Sequence, residues 1–259
     1  MPSTHETVEV DFITPRHLAG GGDPAWVTVP LHRASGWSHG HDPLMPRVTL
    51  SSPNQKALLR LEPDPDGQWW TLRHAPGPGQ PAWYASFGAH TPVELIAAVT
   101  DTLTDPAPKG NTPSDPRKPL QQAGWTPALQ DNGLVSPDAT AYLQRLGTSQ
   151  EHGAWSVTAT LGPDRPVWQA RFDEHTPHHL VSAFTTALTD PTPLARTGTR
   201  HRLPTRNPKL VTLKSTDVRA ALLAYALEER VNSSAARRPG TPTKPRAAHR
   251  PPADNGRSR

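Results

Sequence analysis

Trp83-Tyr84-Ala85-Ser86-Phe87 returns as Trp168-Gln169-Ala170-Arg171-Phe172, 85 residues further along the chain. His90-Thr91-Pro92 returns as His175-Thr176-Pro177 and Thr104-Asp105-Pro106 as Thr189-Asp190-Pro191, at the same spacing. Upstream, Pro30-Leu31 and Gly36-Trp37 resemble Pro119-Leu120 and Gly124-Trp125, and Ser52-Pro53-Asn54 resembles Ser136-Pro137-Asp138. A long period seen twice is a duplicated domain, because a solenoid needs at least three stacked units. The units span residues 28–106 and 117–191, preceded by segment 1–27 with its Gly-rich turn and joined by a Pro-rich linker at 107–116.

Six of the eight tryptophans form matched pairs, 37/125, 70/155 and 83/168. They could be stacking platforms for bases or sugars, or a core copied along with the domain. Strict alternation in Trp155-Ser156-Val157-Thr158-Ala159 places the indole on the apolar face of a half-buried strand, which favours the core. Trp26 and Trp69 have no counterpart in the repeat and are the tryptophans left as candidates for a contact surface. In the first unit the alternation predicts strands at 47–51, 56–62, 68–74 and 82–88. Thr91-Pro92-Val93-Glu94 then has the form of a capping box, opening a helix with Leu95, Ile96, Val99 and Leu103 on one side. The expected fold class is α+β: two units, each a short helix, three or four antiparallel strands and a capped helix on the sheet, related by an approximate two-fold axis.

Charge is unevenly placed. Residues 1–195 hold 12 Lys/Arg and 19 Asp/Glu, a net of −7, whereas 196–259 hold 15 and 4, a net of +11. The expected order there is a basic linker at 192–214, a helix at 215–231 capped by Thr216-Asp217, and a Pro-rich basic tail at 232–259 that is disordered. Arg237, Arg238, Lys244, Arg246 and Arg250 of this tail are candidate nucleic-acid contacts, since cationic segments gain from counterion release. A solubilising terminus has the same composition.

The chain has no cysteine, which excludes disulfides and thiolate chemistry. It has no apolar run long enough to span a membrane and no charged-then-apolar leader, so the expected compartment is the cytoplasm and no membrane partner is expected. Gly20, Gly21 and Gly22 lack the Gly-Lys-Ser/Thr of a P-loop and the strand–helix context of a dinucleotide site. They make a flexible turn before Asp23, or a backbone nest for an anion. His175, His178 and His179 would splay around a first helical turn, against metal binding. No nucleophile elbow is present. The expectation is therefore no catalytic residue, no metal and no cofactor.

The stretch Pro15-Arg16-His17-Leu18-Ala19-Gly20-Gly21-Gly22-Asp23, the Gly-Trp pairs, Ser136-Pro137-Asp138, and Trp-Tyr-Ala-Ser-Phe followed by Thr-Pro-Val-Glu together resemble a streptomycete family. This is the SPDY domain, of unknown function and often in tandem. The resemblance covers roughly residues 14–191 and departs from the name-giving tetrapeptide, with Gln55 and Ala139 where tyrosine would stand. It implies an actinobacterial cytoplasmic protein and carries no activity. Ser-Pro-Asp/Asn by itself is a turn former. The resulting expectation is a non-catalytic binding protein, contacting nucleic acid through the basic tail, with a protein-interaction or chaperone-like module as the alternative and a histidine-based enzyme ranked last.

Overall fold

Strand pairing between the repeats joins them into one object. The computed structural model describes residues 6–41, 47–62, 68–105, 115–128, 133–147, 153–198 and 203–237. Strands β1 (Thr7–Thr14), β2 (Ser38–His41), β3 (Val48–Ser51), β4 (Ala57–Leu61), β5 (Gln68–His74) and β6 (Trp83–Gly88) precede β7 (Thr126–Pro127), β8 (Leu134–Val135), β9 (Ala141–Leu146), β10 (Ala154–Thr160) and β11 (Pro166–Phe172). Two further strands, β12 (Leu194–Thr197) and β13 (Thr212–Arg219), complete the set. The helices are α1 (Ala25–Arg33), α2 (Val93–Thr104), α3 (Arg117–Gln122), α4 (His178–Leu188) and α5 (Ala220–Ala236). Ten strands form one antiparallel sheet in the order β2-β3-β4-β5-β6-β11-β10-β9-β8-β7.

The register at the centre defines the symmetry. Ala85 pairs with Phe172, Phe87 with Ala170, and Ser86 with Arg171. Under the repeat spacing Ser86 and Arg171 are the same position, and the flanking pairs exchange. A two-fold axis therefore passes between Ser86 and Arg171. Helices α2 and α4 pack on each other across it. Beneath them Phe87 meets Phe172 edge-on at 5.7 Å, and Phe184 stacks on Phe87 at 5.9 Å. One core runs through both units and buries all six paired tryptophans. The tryptophan pairs are thus scaffold, as the alternation indicates.

Each unit has one more strand than expected, β2 and β7, short edge strands with little sequence signal. The helix starts also differ from expectation. Helix α2 begins at Val93 behind Pro92, with no side-chain cap, and Glu94 turns away to an arginine. Asp23 and Asp115 are caps that the repeat shares unnoticed: each carboxylate accepts the N–H two residues on, from Ala25 at 2.9 Å and Arg117 at 3.0 Å. Each short helix then ends in a glycine of positive φ, Gly36 and Gly124, after which the chain turns a tryptophan into the core.

The segments expected to be an N-terminal extension and a basic linker instead build a second sheet, β12-β1-β13, over a small core of Ile13, Leu18, Ala19, Leu194 and Val211. The helix expected at 215–231 starts at Ala220. Residues Thr212–Arg219 are strand, because β1 offers eight ladder partners from Thr7 to Thr14 and these outweigh the local capping signal of Thr216-Asp217. Helix α5 also continues to Ala236, into the segment expected to be tail. The rest of the segment expected to be a disordered tail, from 238 on, lies outside the described residues.

Candidate functional site

The stretch from Pro15 to Asp23 is the most motif-like part of the chain, and the structure uses nearly all of it to hold the body together. Arg16 reaches the end of α4: its guanidinium pairs with Asp190 at 2.6 Å and donates to the Thr192 carbonyl at 3.0 Å. His17 is buried, with Nε2 2.6 Å from the Thr140 hydroxyl and 3.3 Å from the Asp138 carboxylate. Its carbonyl accepts the Trp168 indole N–H at 2.8 Å. Carbonyls at the start of the Gly-rich turn hold a cation. The Arg196 guanidinium donates to the carbonyls of Ala19 at 3.2 Å and Gly20 at 3.1 Å, and makes a two-pronged pair with Glu94 at 2.7 and 2.8 Å. Gly21 accepts the Val93 N–H at 2.7 Å. A Cβ on Gly21 would lie 2.9 Å from the Ala89 carbonyl, and one on Gly22, whose φ is +87°, 3.0 Å from the guanidinium carbon. That close approach is why residues without side chains stand here. The anion-nest expectation for Gly20, Gly21 and Gly22 concerns their N–H groups, whereas the partner that the turn's carbonyls hold is internal and positive.

Ser-Pro-Asp/Asn is the turn its chemistry indicates. The Ser136 hydroxyl donates to Asp138 at 2.5 Å and accepts the Ala141 N–H at 2.9 Å. Ser52 does the same with Asn54 at 2.7 Å and Ala57 at 2.8 Å. In both turns the fourth residue, Gln55 or Ala139, has a positive φ. Only the second copy has a carboxylate to offer His17. Burial by itself would raise the Asp138 carboxyl. Hydrogen bonds from His17 and Ser136, the His17 charge and the Thr140 N–H overcome it and hold the group well below the usual carboxylate range. A depressed carboxyl stabilises the fold at pH values above its unfolded value, about 3.9, and that contribution is lost as pH falls below it. Asp138→Asn should therefore be less stable than the parent at neutral pH, with the gap closing below about pH 4. Urea unfolding at several pH values measures it; a gap of constant size would remove the carboxylate's role.

The remaining site candidates divide cleanly. Trp26 is taken up by α5: the Arg230 guanidinium lies 5.1 Å over its ring, and Arg230 donates to the Trp26 carbonyl at 2.8 Å and to Asp101 at 3.0 Å. Arg237 is 3.7 Å from Asp101, so it too serves the attachment of α5. Arg238, Lys244, Arg246 and Arg250 lie outside the described residues. Trp69 stays available, 38% exposed where the β5–β6 register slips between Gln68 and Trp70.

What the motifs leave free is the sheet face turned away from the helices. Across it the pairing sets one row over seven strands: Thr49, Arg60, Thr71, Ser86, Arg171, Ser156 and Gln144. At about 4.8 Å per strand the row is about 30 Å long. A neighbouring row holds Ser51, Leu58, Arg73 and Tyr84, and Tyr84 is 52% exposed. Gln169 donates to Ser156 and Thr158 and accepts from Arg171 at 2.9 Å. Alternation along the described strands puts three arginines, Arg60, Arg73 and Arg171, on this face and no Asp or Glu within them. Just past β4, Glu62 lies 3.6 Å from Arg60, and just past β11 the Asp173 carboxylate accepts the Tyr84 N–H. Sequence reasoning missed this face because its residues are ordinary one by one. The strand register alone lines them up.

Among the described residues no group of three or more His, Cys, Asp or Glu could hold a metal, and no helix is long and apolar enough to cross a membrane. In comparison with known proteins, residues 51–109 and 135–194 match the model of the SPDY family, a domain of unknown function (DUF317). The matches begin at the Ser-Pro turns, so Pro15–Asp23, counted above toward the resemblance, lies outside them. No curated protein and no solved structure matches the chain.

Proposed function

Since this chain carries two tandem SPDY domains joined through one sheet, we propose that it is a non-catalytic nucleic-acid-binding protein whose platform is the open face of the ten-stranded sheet. The observation that carries this reading is the row of polar and cationic side chains across the central strands. A single strand can lay its phosphates along Arg60, Arg171 and Arg73 while bases stack on Tyr84 and Trp69, a combination that binds without sequence preference. The basic tail, with Arg238, Lys244, Arg246 and Arg250, adds sequence-independent phosphate contacts.

A labelled oligonucleotide titrated against the full-length protein at several salt concentrations tests it. Replacing Arg60, Arg73 and Arg171 together by alanine should flatten the log–log salt dependence by about 2, at roughly 0.7 for each phosphate contact on a single strand. Alanines at the tail cations should flatten it separately. Salt-insensitive binding, or an unchanged slope in the triple variant, would exclude the face as the platform. The alternative of a protein partner has one observation in its favour: Leu222 and Tyr225 of α5 are 56% and 64% exposed. A partner that survives nuclease treatment and is lost in Leu222→Ser/Tyr225→Ser would establish it.

A further inference from the structure

The duplication supplies its own control. Where the two copies differ at an equivalent position, the fold demands neither residue. Leu61 and Trp70 pair across β4 and β5, and the equivalent pair across β9 and β10 is Arg145 and Trp155. Val93 opens α2, and its equivalent His178 opens α4. In the second copy a half-buried guanidinium and an exposed imidazole stand where the first copy has two apolar residues.

The Arg145 guanidinium carbon lies 5.5 Å over the Trp155 ring, and His178 meets the same ring edge-on at 6.3 Å. Arg145 Nε and Trp155 Nε1 are both buried with no hydrogen-bond partner, although Trp155 is only 3% exposed. Arg145 makes no ion pair among the described residues. The carboxylate that acts on His178, Asp115, is taken by Arg117, whose guanidinium reaches it at 2.9 Å and whose N–H at 3.0 Å. Burial first, and the Arg145 charge second, hold His178 below the usual imidazole range, against Asp115. Buried donors without acceptors are costly. A cation–π contact offsets only part of that cost.

We propose that Arg145, the Trp155 indole N–H and His178 form a binding site for an oxyanion of the phosphate class. Each would donate to it: the guanidinium by charge-assisted bonds, the indole by its single N–H, the imidazole by a ring N–H. The site faces α4, on the helix side of the sheet, so it is separate from the open face and stands or falls without it. The oxyanion is a free phosphate or the terminal phosphate of a polynucleotide. Either presents the same atoms.

The test uses the full-length chain and inorganic phosphate, with chloride at matched ionic strength as the control. Trp155 Nε1–H and the His178 ring are followed by NMR, assigned through Trp155→Phe and His178→Val. Phosphate should move both signals in a saturable way and raise the His178 pKa. Arg145→Leu should weaken binding about ten-fold or more, the loss of a charge-assisted bond. Arg145→Leu/His178→Val, which writes the first unit's residues into the second, should fold like the parent and bind no phosphate. A 5′-phosphorylated oligonucleotide that binds more tightly than its 5′-hydroxyl form, with the difference lost in the double variant, identifies a polynucleotide end as the source; no difference identifies the free anion. Signals that follow chloride as they follow phosphate, or phosphate binding that persists in the double variant, would overturn the proposal.

Discussion

Glu94→Ala should cost about 3–5 kcal/mol, the usual penalty for removing one partner of a buried ion pair. Arg196 is almost wholly enclosed and Glu94 largely so. The guanidinium is held by two carboxylate oxygens and by the carbonyls of Ala19, Gly20 and its own neighbour Ala195. Taking away the carboxylate leaves the charge in place without its anion, and three backbone dipoles do not replace it. The pair also joins three parts of the chain: β12 of the small sheet, the Gly-rich turn and the first turn of α2. Arg196→Met combined with Glu94→Leu should recover most of the loss, because an apolar pair of similar volume avoids the desolvation cost. Urea unfolding of the two single variants and the double closes the cycle. Additive losses, with no recovery in the double, would show that the two residues do not act as a pair.

Much of the body is legible in the residues. The strands expected at 47–51, 56–62, 68–74 and 82–88 appear as β3 to β6 within a residue or so of those bounds, since each is half-buried and alternates. Helices α2 and α4 follow from their one-sided apolar spacing. The small sheet is not legible, for a physical reason. Thr212–Arg219 is polar and largely exposed on both faces, so it has no apolar period, and its stability comes from a ladder with a strand some 200 residues away. Arg196 stands in a run that composition marks as a basic linker, and nothing local announces that its side chain is buried. Glu94 shows the converse error: a good local motif, the capping box, lost to a stronger distant partner.

The candidate site divides along the same line. The repeat shows which residues are scaffold, and the tryptophans are. It could also have shown where the copies diverge. Leu61 against Arg145 and Val93 against His178 follow from the alignment that identified the Trp pairs, but similarity draws attention before difference does. The open face needed the register. Ser86 and Arg171 are the same position in the two units, and strand pairing sets them side by side at the symmetry axis, so one copy's serine gives space beside the other's arginine.

Trp168→Ala should lower stability by about 3–5 kcal/mol, the range for emptying a large aromatic from a core. The indole is buried, lies edge-on to Phe184 at 6.2 Å, and donates to the His17 carbonyl. The substitution therefore opens a cavity beneath α4 and strips a buried carbonyl of its donor. A domain of this kind has a margin of about 5–15 kcal/mol, so the melting temperature should fall by on the order of 10 °C. Two independent units would let the second melt alone. The structure argues for one transition instead. Strands β6 and β11 are neighbours at the sheet centre, and Phe87 of the first unit packs against Phe172 and Phe184 of the second. Losing the second unit would expose the first unit's core, so both must go together. Calorimetry of Trp168→Ala should show a single, lowered transition, and Trp83→Ala, at the equivalent position, should lower the same transition. Two separated transitions, with the first unit's at the parental temperature, would show that the shared sheet does not couple the repeats.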